Sequence, residues 1–260
     1  MVKAKKSLGQ NFLIDKNIIE KIINLVKIRN KTILEVGPGT GNLTSYILKQ
    51  NPKKIIVVEK DNDLSVYLEN IFKKRIIIIN KDILKIDERL LSNDKLIVFG
   101  NLPYNISTEI LCKWIMSLKN NFWFDHLILM FQKEVADRII ATPNSSNYGR
   151  LSVLSNWKLN IKKICDIKPG SFSPKPKIDS SLLYFTPKSN FYKIDPKNLE
   201  TITRIFFNQR RKMLKKPFNQ IFNGNRVVRN KLKIDLNLRP QNLDFDTYYK
   251  LADEFENLKS

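Results

Sequence analysis

Residues 101–104 form an Asn-Leu-Pro-Tyr segment that could prepare an amine for chemistry. The amine of adenine is a poor nucleophile because its lone pair is delocalised into the ring. The Asn101 carbonyl and a nearby backbone carbonyl, in a segment that includes Leu102, could accept its two hydrogens and draw the nitrogen towards tetrahedral geometry. Pro103 restricts the backbone, and Tyr104 offers a ring face for stacking. The segment predicts amine methylation that relies on positioning and dipoles, although a turn with an exposed tyrosine has the same composition.

A glycine-rich loop earlier in the chain predicts a nucleotide-like cofactor. Gly37, Gly39 and Gly41 follow the apolar run 32–36 and precede a helical stretch. Glycines at such a place let the backbone turn tightly and approach a ligand. Glu59 ends the next apolar run, where a carboxylate suits hydrogen bonding to a ribose diol. Dinucleotide-binding proteins use the same arrangement, so these residues alone leave the cofactor open.

Two details favour S-adenosylmethionine over a dinucleotide. The spacing is G-x-G-x-G, and Pro38 removes a backbone donor that a pyrophosphate would use. S-adenosylmethionine has a ribose and an adenine but no phosphate, so it needs no anion cradle. Asp82, after the third apolar run, could accept a hydrogen bond from the adenine amine. Glu59 and Asp82 could instead only cap the helices that follow them.

Alternating apolar runs and helical stretches must position these segments. Asp15 is expected to cap a helix whose apolar residues lie between 18 and 26. The predicted strands are 32–36, 55–59, 76–79, 96–100 and 127–131, followed by 161–167 and 181–185, and helices are predicted at 62–72 and 108–118. Such alternation is typical of an α/β domain with parallel strands. We predict this domain at 1–190 and a small all-α domain at 191–260.

The charge of the chain favours a polyanionic partner. The 260 residues include 46 Lys and Arg against 25 Asp and Glu, a formal net charge of +21. Residues 161–260 carry +11 and residues 1–160 carry +10, so positive charge is denser towards the C-terminus. A compositional bias towards Lys, Asn and Ile is the alternative explanation. Cys112 and Cys165 have no metal-like spacing, no metal is expected, and the basic N-terminus leads into no apolar signal segment, which together indicate a cytosolic protein.

The ordered motifs of the chain resemble the KsgA-type ribosomal RNA adenine dimethyltransferases over nearly its whole length. The segments that carry the resemblance are Ser7–Leu13, Glu35–Gly41, Gly100–Ser107, Gln132–Val135, Tyr148–Ser152, Phe172–Lys177 and Phe207–Lys212. The resemblance implies a class I, Rossmann-like methyltransferase domain with a mixed, mostly parallel seven-stranded sheet, followed by a small helical domain. It also implies methylation of two adjacent adenines, twice each, near the 3′ end of 16S rRNA in the small ribosomal subunit.

The resemblance assigns roles to individual residues. It places the S-adenosylmethionine contacts on Asn11, Leu13, Gly37, Glu59, Asp82 and Asn101. The acceptor site falls on Asn101, Leu102, Pro103 and Tyr104, with Phe172 as an aromatic that helps to hold a flipped base. The only histidine, His126, matches no catalytic position and is expected to be structural.

Basic residues of the second domain are the predicted RNA contacts. They are Arg210, Arg211, Lys212, Lys215 and Lys216, and a basic arm of Lys3, Lys5 and Lys6 is expected to add to them. A solvated charged face is the alternative. The chain is expected to act as a monomer without membrane attachment.

Two other functions fit parts of this pattern. The Erm-type methylases resemble the chain in fold and acceptor motif but modify large-subunit rRNA. Non-enzymatic nucleic-acid-binding relatives share the fold without catalysis. The intact segment 101–104 and Glu59 argue against lost catalysis, and the pattern of residues 239–252 looks more like the KsgA type.

Overall fold

A computed structural model of the protein describes residues 4–5, 8–118 and 121–259. The chain divides into two compact units. The first comprises Met1–Lys113, Leu118–Ala136 and Ile161–Pro187, and the second comprises Trp114–Ser117, Asp137–Asn160 and Lys188–Ser260. The division predicted at residue 190 leaves out two segments, because residues 114–117 and 137–160 also group with the C-terminal helices. The longer segment carries no break in composition that would mark it as part of another unit.

The described elements follow one another in an alternating order. The strands are β1 (Phe12–Leu13), β2 (Thr32–Val36), β3 (Lys54–Glu59), β4 (Ile77–Asn80), β5 (Leu96–Asn101), β6 (Phe124–Gln132), β7 (Leu159–Ile167), β8 (Phe172–Ser173) and β9 (Ser180–Pro187). The helices are α1 (Lys16–Ile23), α2 (Asn42–Lys49), α3 (Asn62–Phe72), α4 (Ser107–Ser117), α5 (Lys133–Ile139), α6 (Arg150–Lys158), α7 (Pro196–Asn208), α8 (Lys215–Phe222), α9 (Arg226–Lys231) and α10 (Phe245–Asn257).

Seven strands form the sheet of the first unit, in the order β4-β3-β2-β5-β6-β9-β7. The first five are parallel, and β9 pairs antiparallel with β6. All five residues of β2 are buried, as expected for a strand covered on both faces. The predicted mixed, mostly parallel seven-stranded sheet is therefore confirmed.

Local capping begins α1 where the sequence predicts. The Asp15 side chain accepts hydrogen bonds from the backbone N–H groups of Asn17 and Ile18 and so begins α1. The buried apolar side chains of α1, at Ile19, Ile22 and Ile23, share one face and join the core of the first unit. A pair of two-residue strands, β1 and β8, adds an antiparallel connection between distant parts of this unit.

Aromatic and aliphatic side chains form the core of the second unit. Leu199, Ile202 and Phe206 on α7 are fully buried, as are Tyr248 and Leu251 on α10. These residues recur every three or four positions and so lie on one face of each helix. Among the described residues, no helix combines the length and the apolar character needed to cross a membrane.

Candidate active site

Three parallel strands end side by side and bring the predicted cofactor and acceptor segments together. Gly37, Glu59 and Asn101 each lie one position beyond residues that are paired across β2, β3 and β5. The carboxyl ends of parallel strands share one edge of a sheet, where open α/β sheets bind their ligands. All three residues line one cavity in the first unit. The sheet register therefore places both halves of the predicted site at a single location.

The glycine loop allows the backbone to fold closely around this cavity. Gly37 and Gly39 have left-handed backbone angles, with φ of +67° and +57°. A Cβ atom on Gly39 would lie 2.6 Å from the Phe12 ring, which is closer than carbon atoms can pack. The backbone N–H of Gly39 donates to Glu59 Oε2 at 3.3 Å. Only glycine at position 39 permits both the turn and the approach of Phe12.

Glu59 connects the glycine loop to the start of α3. Its second oxygen, Oε1, accepts a hydrogen bond from the backbone N–H of Asp61 at 2.9 Å. Burial raises the pKa of the Glu59 carboxyl, and the backbone donors of Asp61 and Gly39 oppose this. Asp61, whose side chain accepts from the N–H of Asp63, is the cap of α3. Glu59 is thus not the helix cap, and its side chain faces the cavity.

Asp82 does act as a cap, as the alternative interpretation required. Its Oδ1 accepts from the backbone N–H of Leu84 at 3.0 Å and begins a single helical turn. Its Oδ2 forms an ion pair with Lys60 at 2.8 Å, which holds the pKa of the carboxyl below its usual range. Asp82 also lines the cavity. It is therefore an ionised acceptor held in a fixed orientation at the cavity wall.

An N-terminal segment, residues 8–13, supplies another wall of the cavity. Asn11 and Leu13 both line it, and the side chain of Asn42 donates to the Leu13 carbonyl at 2.8 Å. Gln10 donates to Asp61 at 2.9 Å. The predicted contacts Asn11 and Leu13 thus belong to the wall of the cavity.

Lys5 differs from the predicted basic arm. Its ammonium pairs with Asp61 at 2.7 Å and with Asp63 at 2.8 Å, so it holds the N-terminal segment onto α3. This pairing occurs because the two carboxylates at the start of α3 face the segment. The other two residues of the predicted arm, Lys3 and Lys6, lie outside the described residues.

The acceptor segment lies against this N-terminal wall. The amide nitrogen of Asn101 donates to the carbonyl of Asn11 at 2.6 Å, which leaves the amide oxygen as the free acceptor of that side chain. Leu102 is only 1% exposed and packs beneath the segment. The Pro103 carbonyl accepts from the N–H of Ile106 at 3.1 Å and closes the turn. The geometry fits a segment that presents a hydrogen-bond acceptor and an aromatic ring to one ligand.

Tyr104 completes the acceptor segment. It lines the cavity, and its hydroxyl lies 2.5 Å from the hydroxyl of Ser180. Burial raises the pKa of the Tyr104 phenol. The phenol therefore stays protonated at neutral pH and is unsuited to act as a base.

Phe172 is not among the residues that line the cavity. It is 1% exposed and packs in the core of the first unit with Leu13, Ile167 and Leu182. Its strand β8 is paired with β1, so the ring is covered by the N-terminal segment. The sequence match at Phe172 identified an aromatic position, but the pairing that buries it joins residues about 160 positions apart and has no local signal.

The predicted RNA contacts lie in the second unit. Arg211, Lys212, Lys215 and Lys216 are exposed, in the turn after α7 and at the start of α8. Arg210 is half-buried and donates to the backbone carbonyl of Ser145 at 2.9 Å. Four of the five predicted side chains are therefore available to a phosphate, whereas Arg210 already holds a loop of its own unit.

The histidine and the two cysteines are not among the residues that line the cavity. The Nδ1 atom of His126 lies 2.7 Å from the Tyr184 hydroxyl, and burial lowers the pKa of the imidazole. Cys112 and Cys165 form no disulfide. Among the residues described, no group of three His, Cys, Asp or Glu side chains could hold a metal ion.

The chemistry of the cavity fits S-adenosylmethionine. Glu59 and Asp82 supply carboxylates for a ribose and an adenine amine, while Pro38 leaves the glycine loop without one of the donors that a pyrophosphate uses. Three further residues shape this site without a local signal in the sequence: Phe12, Asp61 and Ser180. Their contacts span long stretches of sequence, so neither spacing nor periodicity could indicate them.

Comparisons with known proteins agree with this geometry. A family model described as ribosomal RNA adenine dimethylase matches residues 1–257. The ribosomal RNA small subunit methyltransferase A of Pelagibacter ubique (strain HTCC1062) is 68% identical over 259 residues, covering 99% of each chain. The crystal structure of a dimethyladenosine transferase from Plasmodium falciparum matches with a TM-score of 0.79 and 26% identity, covering 95% of this chain and 98% of that one.

The 23S rRNA methyltransferase ErmE shares the fold, with a TM-score of 0.69 and 18% identity over 95% of this chain and 100% of its own. The likeness to ErmE thus concerns fold alone, whereas the Pelagibacter relative is 68% identical and the family model spans residues 1–257. The chain belongs to the ribosomal RNA adenine dimethylase family.

Proposed function

We propose that this chain transfers methyl groups from S-adenosylmethionine to the N6 amines of two adjacent adenines near the 3′ end of 16S rRNA, dimethylating each. The observation that carries the proposal is the meeting of Gly37, Glu59 and Asn101 at the ends of three neighbouring strands. The cofactor residues and the amine acceptors face one cavity, as methyl transfer between two bound molecules requires. The names of the relatives, which are small-subunit rRNA methyltransferases, support the choice of substrate.

The cofactor half of the cavity holds its ligand through carboxylates and backbone. Glu59 accepts from the ribose hydroxyls, and Asp82, kept ionised by Lys60, accepts from the adenine amine. Asn11, Leu13 and Gly37 close around the remaining surface. When bound, S-adenosylmethionine supplies an electrophilic methyl group on a sulfonium centre.

The acceptor half orients the target amine. The Asn11 carbonyl fixes the Asn101 amide, so the Asn101 oxygen accepts one N6 hydrogen, and a backbone carbonyl of the segment accepts the other. These acceptors return electron density to nitrogen, and Tyr104 stacks on the base. Leu102 and Pro103 hold the segment in shape. Because attack on a sulfonium methyl is favourable, the proton can leave to water afterwards, and positioning supplies most of the rate enhancement.

The partner is the small ribosomal subunit, and the chain acts on it as a monomer in the cytoplasm. Exposed basic side chains at Arg211, Lys212, Lys215 and Lys216 support contact with rRNA phosphates. A net charge of +21 raises the local concentration of such a polyanion.

Methyl transfer to purified ribosomal particles tests the proposal. Unmutated protein should methylate 30S particles, with dimethyladenosine at two adjacent positions by mass spectrometry, and should leave naked large-subunit rRNA unmodified. The reverse preference would support the Erm-type alternative, and no transfer to either would support a non-enzymatic binding protein.

The variant Asn101→Ala tests the acceptor role directly. It should lower kcat by a factor on the order of 100 to 1,000, the typical effect of removing a preorganised polar group, while RNA affinity stays within about twofold. Asn93→Ala, at an exposed loop position, is the matched control and should behave as the unmutated protein. Full activity in Asn101→Ala would contradict the proposed chemistry.

A further inference from the structure

Ser180, which lies outside the acceptor segment, forms a hydrogen bond with Tyr104 of that segment. The Tyr104 and Ser180 hydroxyl oxygens lie 2.5 Å apart, and either can donate to the other. Ser180 is fully buried, so water cannot easily replace it. A hydrogen bond to a buried hydroxyl is costly to leave unmade.

The serine is fixed by the backbone around it. Ser180 is the first residue of β9 and pairs with Gln132 at the end of β6. The preceding carbonyl, of Asp179, accepts from the backbone N–H of Lys133 at 2.9 Å. The Asp179 carboxylate pairs with Lys168 at 2.6 Å. Ser180 therefore sits at a rigid corner of the sheet.

The backbone of Tyr104 is held in place as well as its hydroxyl. Its backbone follows Pro103 directly, and its carbonyl accepts from the Ser107 hydroxyl at 3.2 Å, at the start of α4. With the backbone fixed at one end and the phenol oxygen bound at the other, the long axis of the ring has one direction. The ring between these two fixed ends lines the cavity, where it can contact a ligand.

We infer that Ser180 is a positioning residue for methyl transfer: it holds the Tyr104 ring where the target adenine stacks. This inference rests on the proposed function, which it extends to a residue outside the acceptor segment. The hydroxyl of Tyr104 is used as an anchor, and catalysis depends on the ring face. A misplacement of about 1 Å can cost roughly 100-fold in rate, so loss of the anchor should lower kcat by about 5- to 100-fold.

A double-mutant cycle tests this inference. Ser180→Ala and Tyr104→Phe should each lower the single-turnover rate on 30S particles by about 5- to 100-fold, with a smaller change in KM. The double variant should be no slower than the slower single variant, since both remove the same bond. Ser180→Thr, which keeps a hydroxyl, should recover most of the rate.

The neighbouring residue provides a matched control. Ser181 is as fully buried as Ser180, but its hydroxyl donates to Asp166 at 2.6 Å, away from Tyr104. Ser181→Ala should lower the unfolding midpoint while the rate stays within about twofold. Equal rate losses in Ser180→Ala and Ser181→Ala would show that Ser180 acts only through stability.

A measurement without activity separates this inference from the proposed function. In NMR spectra of the protein alone, the Tyr104 ring signals should shift and broaden in Ser180→Ala and stay unchanged in Ser181→Ala. Unaltered Tyr104 signals, or rate losses that multiply in the double variant, would overturn the positioning role. Inactivity of the unmutated protein on every rRNA substrate would refute the proposed function, and the NMR comparison would still decide the role of Ser180.

Discussion

The substitution Gly39→Ala should have two separable effects, one on the free energy of unfolding and one on the affinity for the cofactor. The left-handed backbone costs a non-glycine residue about 1–2 kcal/mol, and this penalty should appear in the free energy of unfolding. The new Cβ would lie 2.6 Å from the Phe12 ring, and overpacking of this kind costs about 1–3 kcal/mol. Moving the N-terminal wall away from the loop would relieve that contact but open the cavity.

The overpacking cost should therefore appear in cofactor binding. Gly39→Ala should weaken the binding of S-adenosylhomocysteine, measured by isothermal titration calorimetry, by a factor of roughly 5 to 150. Urea unfolding gives the backbone cost separately. Gly170→Ala is the matched control, because a Cβ there would meet no atom within 4 Å, and both quantities should stay near those of the unmutated protein.

A second substitution identifies the Phe12 contact as the cause. If Phe12→Ala is added to Gly39→Ala, the two should show a coupling free energy of about 1–3 kcal/mol, since neither contact partner remains. Cofactor affinity in Gly39→Ala equal to that in Gly170→Ala would refute the reasoning. So would a Phe12→Ala effect that is the same in both backgrounds.

Three further predictions follow from the charges of the molecule. Asp61→Asn should raise the cofactor dissociation rate several-fold in stopped-flow experiments, because it removes the anchor of the N-terminal wall, whereas Asp63→Asn, 68% exposed, should change it little. Burial raises the pKa of the Glu35 carboxyl to about 7 from a usual 4.5, so between these pH values the folded state holds a proton that the unfolded state has lost. The free energy of unfolding should therefore fall by about 3 kcal/mol as the pH rises through this range. Urea unfolding of Glu35→Gln should lack this pH dependence, and a dependence that persists would exclude Glu35 as its source. Arg211→Ala should flatten the salt dependence of rRNA binding, whereas Arg210→Ala, which loses the hydrogen bond to Ser145, should lower the unfolding midpoint; an unchanged salt slope in Arg211→Ala would remove Arg211 from the interface.

Much of the architecture was predictable because its signals are local. Continuous apolar runs such as 55–59 are typical of strands buried on both faces. The observed strand β3 begins one residue before this predicted run. Asp15 begins α1 through its own side chain. Such features depend on neighbours a few positions away, and the sequence displays them directly.

The parts that were not predictable depend on contacts between distant residues. Lys5 pairs with Asp61 across 56 positions, and the hydroxyls of Tyr104 and Ser180 meet across 76. A basic side chain near the N-terminus looks the same in sequence whether it binds RNA or an acidic helix start. Helix α6 was not predicted because its buried residues lie on all sides, which leaves no amphipathic period.

The hydrogen bond from Asn101 to the Asn11 carbonyl has a consequence for the affinities of the two binding partners. Asn11 belongs to the cofactor wall of the cavity and Asn101 belongs to the acceptor segment. A displacement of Asn11 therefore changes the position of the Asn101 amide, and the reverse also holds. Thermodynamic linkage then requires reciprocity: the factor by which the cofactor strengthens rRNA binding equals the factor by which rRNA strengthens cofactor binding. An inhibitor that fills the cofactor cavity but displaces Asn11 would for this reason also lower the affinity for rRNA, although it would not contact the rRNA itself.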